Sequence, residues 1–97
     1  MDEIVQAQFE PVVGAHQARV NVTYNGQNGD LPDPVSFDAT DGDVKQWVTE
    51  SIRHGGIPGV GEHGNADFHD FVVDRFTATE QRPYNLLQVR PKTPFGG

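Results

Sequence analysis

An α+β domain, with one helix packed across a small mixed sheet in the order β-β-α-β-β, is what this sequence predicts, and three observations predict it. Residues Ala18–Tyr24 alternate apolar and polar side chains, the period of a half-buried strand. Residues 44–52 carry apolar side chains at helical spacing behind a capping threonine. Two further short runs rich in β-branched and aromatic residues, Phe68–Asp74 and Pro83–Arg90, follow a glycine-rich connector. A strand pair, a helix and more strands must share one core, because 97 residues make a single domain.

The elements follow in chain order. Residues 1–17 hold Ile4, Val5, Phe9, Val12 and Val13, but Pro11 and Gly14 interrupt any long helix or strand, so this stretch reads as a loosely ordered N-terminal extension. The first strand stops at Asn25-Gly26, with Asn28-Gly29 close behind, pairs that readily take positive φ in hairpin turns. Pro32 and Pro34 confine the second strand to Val35–Ala39, which leaves Asn25–Pro34 as the connecting loop. Thr40, with Asp43 three residues on, starts the helix: the hydroxyl caps it, and Asp41 and Asp43 complement its positive end. Val44, Trp47, Val48 and Ile52 form its apolar stripe, which assigns Trp47 to the core, and Gly55-Gly56 supplies the left-handed stop. Residues 55–67 form a connector too glycine-rich for regular structure. The domain therefore spans residues 18–90, and residues 91–97, with two prolines and two glycines, form an extended tail.

Composition narrows the function. The chain has 14 acidic and 7 basic side chains, a formal charge of −7, which disfavours nucleic acid and anionic membranes as partners. It has no cysteine, so neither disulfides nor thiolate–zinc sites can support the fold. The N-terminus has acidic residues where a signal peptide needs basic ones, and no long apolar run is present, so a soluble cytoplasmic protein is expected.

Several motifs resolve into structural roles. Gly59-Val-Gly61-Glu-His-Gly64 spells a dinucleotide fingerprint but follows a helix and precedes a strand, the reverse of the order that puts phosphate on a helix N-terminus, so it reads as a flexible connector. His54, His63 and His69, with Glu62, Asp67 and Asp70, have no regular ligand spacing and read as solvated loop residues; no metal is expected. Ser36 and Ser51 sit in no nucleophile elbow, and nothing suggests an active site or a bound cofactor.

The hairpin, the capped helix Asp43–Arg53, the Gly56-Ile57-Pro58 that follows it and the chain-ending Gly96-Gly97 together resemble the ubiquitin-like β-grasp family, closest to its bacterial kind. In ubiquitin the corresponding helix also carries a Val-Lys pair, is followed by Gly-Ile-Pro, and the chain ends in Gly-Gly after an apolar strand. The likeness covers residues 18–97 in unchanged order. It implies a protein modifier rather than an enzyme. Its Gly97 carboxylate would be activated by an ATP-dependent enzyme, passed to a conjugating-enzyme cysteine and joined to target amines, with a deconjugating peptidase to release it. Glycines 96 and 97, without Cβ, suit passage through a narrow channel. Where ubiquitin has arginines, this tail reads Lys92-Thr-Pro-Phe95, so a cognate activating enzyme would recognise Phe95, Pro94 and Lys92. By position in the family's strands, the exposed members among Phe71, Val73, Leu86 and Gln88 form the expected partner surface. Lys45 and Lys92, the two lysines of the chain, are its possible acceptors, and single modification is expected. Two other readings share the fold: a sulfur carrier with a C-terminal thiocarboxylate, and an interaction module whose tail is inert.

Overall fold

The computed structural model describes residues 13–92. The expected sites Pro94, Phe95, Gly96 and Gly97 lie outside those residues, as does most of the N-terminal extension. Along the chain run β1 (Gln17–Tyr24), β2 (Gln27–Asp30), β3 (Val35–Ser36), α1 (Asp41–Arg53), β4 (Phe71–Phe76) and β5 (Asn85–Pro91). The result is a small α+β protein with one helix and a mixed sheet in the order β2-β1-β5-β4. β1 and β5 pair parallel at its centre, β2 and β3 pair antiparallel along the other side of β1, and β4 pairs antiparallel with β5.

The second strand differs from the expected one. β1 is followed not by a loop but by a two-residue turn, Asn25 (φ 53°) and Gly26 (φ 77°), the conformation whose twist matches a right-handed strand pair. β2 then runs Gln27-Asn28-Gly29-Asp30, a stretch without an apolar residue and so invisible to any test of hydrophobic alternation. Side-chain hydrogen bonds across the pair take the place of that pattern: Asn28 Nδ2 donates to Thr23 Oγ1 (2.9 Å), and Asn21 Nδ2 donates to Asp30 Oδ1 (2.9 Å). Of the expected strand Val35–Ala39 only Val35–Ser36 pairs, against the start of β1. The chain order is therefore β-β-β-α-β-β.

α1 lies where its caps put it. Thr40 Oγ1 accepts from Asp43 N (3.1 Å), satisfying one of the helix's orphan donors. At the other end Gly55 takes φ 69°, Gly55 N donates to Ile52 O (3.1 Å) and Gly56 N to Ser51 O (2.7 Å), the paired bonds of a Schellman stop. Replacing Thr40 with alanine should lower unfolding free energy by about 1 kcal/mol, visible as a lower urea midpoint with unchanged slope. Val44, Val48 and Ile52 are buried, as the stripe requires. Trp47 is not: it is 38% exposed, on the flank of the stripe, and the core closes without it.

The core sits between α1 and one face of the sheet. Val20 and Val22 of β1, Leu87 and Val89 of β5 and the three helix residues are fully buried. Each such side chain contributes roughly 1.5–3 kcal/mol relative to exposure. The connector after α1, expected to be loose, supplies four more core residues: Ile57, Val60, Ala66 and Phe68. It is held by its contacts rather than by regular structure. Arg53 donates to Ala66 O through Nε (3.2 Å) and Nη2 (2.9 Å), Gly61 N donates to Gln27 Oε1 (2.9 Å), and Phe68 packs against Tyr24 and Phe71 with ring centroids 5.0 and 4.5 Å apart. Phe68 therefore belongs to the connector, and β4 starts three residues later than the sequence pattern suggests, at Phe71, whose N donates to Phe68 O (3.0 Å).

Arg75 closes the rim of the sandwich. Its guanidinium donates to Phe37 O (2.8 Å), Ala39 O (2.6 Å) and Asp41 Oδ1 (2.7 Å), tying β4 to the approach to α1. No helix among the described residues is long and apolar enough to cross a membrane.

Candidate functional site

One face of the sheet is covered by α1 and the connector; the other is open. Strand parity decides which side chains stand on it. In β1 the buried Ala18, Val20 and Val22 face the helix, so Arg19, Asn21 and Thr23 face outward. In β5 the buried Leu87 and Val89 leave Leu86, Gln88 and Arg90 on the open side. Through the β4–β5 register, Val72, Asp74 and Phe76 stand beside them, opposite Arg90, Gln88 and Leu86 respectively.

This placement divides the expected partner surface. Leu86 and Gln88 lie on the open face. Phe71 and Val73 do not: both pack against the core, opposite Pro91 and Val89. The β4 residues that the sheet presents instead are Val72, Asp74 and Phe76. The run Phe71-Val72-Val73 has three consecutive apolar residues and no alternation, so only the register with β5 could reveal which of them points outward.

The open face has two halves of different chemistry. Over β1 and β2 it is an amide ladder. Asn21 Nδ2 donates to Asn28 Oδ1 (2.9 Å), Asn28 Nδ2 donates back to Asn21 Oδ1 (3.0 Å), and Gln88 Nε2 donates to the same Oδ1 (3.3 Å), carrying the network to β5. An open groove of about 430 Å³ runs beside this ladder, lined by Arg19, Asn21, Asp30, Leu31, Pro32 and Pro58. Over β4 and the start of β5 the face is aromatic and cationic. The Arg82 guanidinium lies 5.9 Å from the ring centres of both Phe76 and Tyr84, and that of Arg19 lies 5.4 Å from Tyr84. Phe76 is 42% exposed there. Arg90 Nε pairs with Asp74 Oδ2 at 2.6 Å toward the opposite end of the β4–β5 pair from Phe76.

The remaining predicted positions fall elsewhere. Lys92 is exposed just beyond the end of β5. Lys45, half-buried on α1, donates from Nζ to His69 O (3.4 Å). His63 stacks edge-on against Tyr24, with centroids 5.1 Å apart, and among the described residues no group of His, Asp and Glu could hold a metal ion. No described buried residue is polar or charged. The sequence reading missed the aromatic–arginine half altogether, because Phe76, Arg82 and Tyr84 meet only through the β4–β5 turn; the aromatic and arginine spacing along residues 75–84 was its one available sign.

Compared with known proteins, the chain matches no family model, no curated protein and no solved structure.

Proposed function

We propose that this chain is a ubiquitin-like modifier with a β-grasp fold, joined to amines of target proteins through the Gly97 carboxylate. The observation that carries the reading is the position of β5. It is a central strand, parallel to β1 and antiparallel to β4, crossed on one face by α1. A parallel central pair flanked by a hairpin and spanned by one helix is the arrangement a β-grasp requires. β5 ends at exposed Pro91, so the strand held on both sides hands the chain directly to Lys92 and the segment that carries Gly96-Gly97.

The chemistry follows from that segment. Gly96 and Gly97 bring a backbone carbonyl close to ATP and then to a thiolate without a Cβ in the way. Pro91 and Pro94 restrict the chain before docking, which lowers the entropy lost on binding. An activating enzyme would read Phe95, Pro94 and Lys92, while Leu86, Gln88, Val72 and Phe76 on the open face offer it a surface to grip.

The test is conjugation in the native cell. A tagged chain should produce higher-mass adducts whose digests contain an isopeptide between Gly97 and a target lysine, and deleting Gly97 should abolish them. Adducts that survive the deletion would overturn the proposal. A C-terminal mass gain of one sulfur, with no adducts, would transfer the chain to the sulfur carriers.

A further inference from the structure

The first hairpin contains two Asn-Gly pairs in different chemical situations, and the difference marks one of them as a modification site. An asparagine followed by glycine can lose its side-chain amide by internal attack. Solvent base removes the proton of the glycine N–H, that nitrogen bonds to the asparagine Cγ, and Nδ2 leaves as ammonia. Water then opens the five-membered succinimide at either carbonyl, giving aspartate with the normal backbone or isoaspartate with the backbone rerouted through Cγ. Glycine in second place lacks the Cβ that would hinder the approach. The reaction needs a free asparagine side chain, a glycine N–H not engaged in a hydrogen bond, and room for the backbone to turn.

Asn25-Gly26 meets all three conditions. The pair forms the whole of the turn between Tyr24 and Gln27, both residues are exposed, and nothing lies within 4 Å of where a Cβ on Gly26 would be. Among the described residues neither the Asn25 side chain nor the Gly26 N–H has a hydrogen-bond partner. Asn28-Gly29, three residues on, meets none of them. Asn28 Oδ1 accepts from Asn21 (2.9 Å), while Asn28 Nδ2 donates to Asn21 (3.0 Å) and Thr23 (2.9 Å). Gly29 stands opposite Val22 in the ladder. Two residues further on, Leu31 N donates to Val20 O (2.9 Å), and the strand's period of two turns the Gly29 N–H the same way, toward Val22. Gly29 is also wedged over the backbone of Pro58.

We propose that Asn25 is a site of spontaneous deamidation in the folded protein and that the cross-strand ladder protects Asn28. Aspartate at position 25 takes the formal charge from −7 to −8, that is −7 − 1. Isoaspartate inserts an extra backbone carbon into a turn that closes with two residues, and so disturbs the pairing of β2.

The test uses the full chain, incubated folded at mildly alkaline pH and in parallel in denaturant, with both sites followed by peptide mass mapping and isoaspartate by carboxyl methylation. In the folded chain Asn25 should react at least about tenfold faster than Asn28, since reaction at Asn28 first requires opening of the ladder and about 1.4 kcal/mol of opening cost is a factor of ten. In denaturant the two rates should converge to within about twofold. The variant Asn21→Ala should accelerate Asn28 and leave Asn25 unchanged. Equal rates in the folded chain, or a preference for Asn25 that persists in denaturant, would overturn the proposal.

Discussion

Phe68→Ala should lower the unfolding free energy by about 3–5 kcal/mol, the cost of emptying a large aromatic site in a packed core. A domain of this size has only about 5–15 kcal/mol in total. Phe68 is 2% exposed and lies between Tyr24 of β1 and Phe71 at the start of β4, so its ring joins the hairpin, the connector and the sheet edge. Tyr24 and Phe71 also approach each other, with centroids 5.9 Å apart, and both would lose their shared partner. Collapse into the space is limited because Ala66 and the helix end are held by Arg53. Urea unfolding should therefore show a large drop in midpoint, and Phe68→Leu should recover more than half of it. A loss below about 1 kcal/mol, typical of surface positions, would mean that the connector does not form part of the core.

Gly29→Ala should cost about 3 kcal/mol, at the upper end of overpacking penalties. Gly29 lies opposite Val22, so a methyl group there would point into the core side of the hairpin and overlap the carbonyl oxygen of Pro58, with Ile57 Cγ2 at 2.9 Å. Neither strand nor connector can yield easily. Gly59 makes a similar though less severe approach from the other direction, a Cβ there lying 2.6 Å from Asn28 O, and its φ of 90° is one that L side chains avoid. Gly26→Ala provides the control, since a methyl at Gly26 meets nothing within 4 Å and pays only for its φ of 77°, about 1–2 kcal/mol. The two variants should separate clearly in urea midpoint, and β2 amides should exchange faster in Gly29→Ala. Equal midpoints would show that the connector does not pack under the hairpin.

The connector's glycines mark a general division. Gly59 and Gly61 look in sequence like residues that loosen a connector, or like two positions of a phosphate-binding fingerprint. In the structure Gly59 is a close-packing position beneath β2, and Gly61 N is fastened to Gln27. Glycine reads locally as freedom, whereas its absent side chain matters here for what another segment puts in the space. Likewise β2 has no apolar residue to announce it, yet it pairs along its full length with β1.

The candidate surface divides the same way. In β5, Gln88 and Arg90 alternate with the buried Leu87 and Val89, but Leu86 next to Leu87 breaks the alternation, and only the pairing with β1 and β4 puts it on the outward face. Phe71, Val72 and Val73 show no such period, and the helical stripe points Trp47 toward a core that closes without it, because a stripe gives the direction of burial but not how far the packing partners extend.

By itself the sequence determined the features whose causes are local: the helix and both its caps, the turn-forming Asn25-Gly26, the alternating strand β1, the presence of a strand near residues 83–90, and the net negative charge. The tertiary structure decided which face of β4 looks outward, that a polar tetrapeptide is a strand, and that a glycine-rich connector is core. Those outcomes rest on contacts between residues far apart in the chain, whose free energy depends on register and close packing, and neither can be read along a single segment.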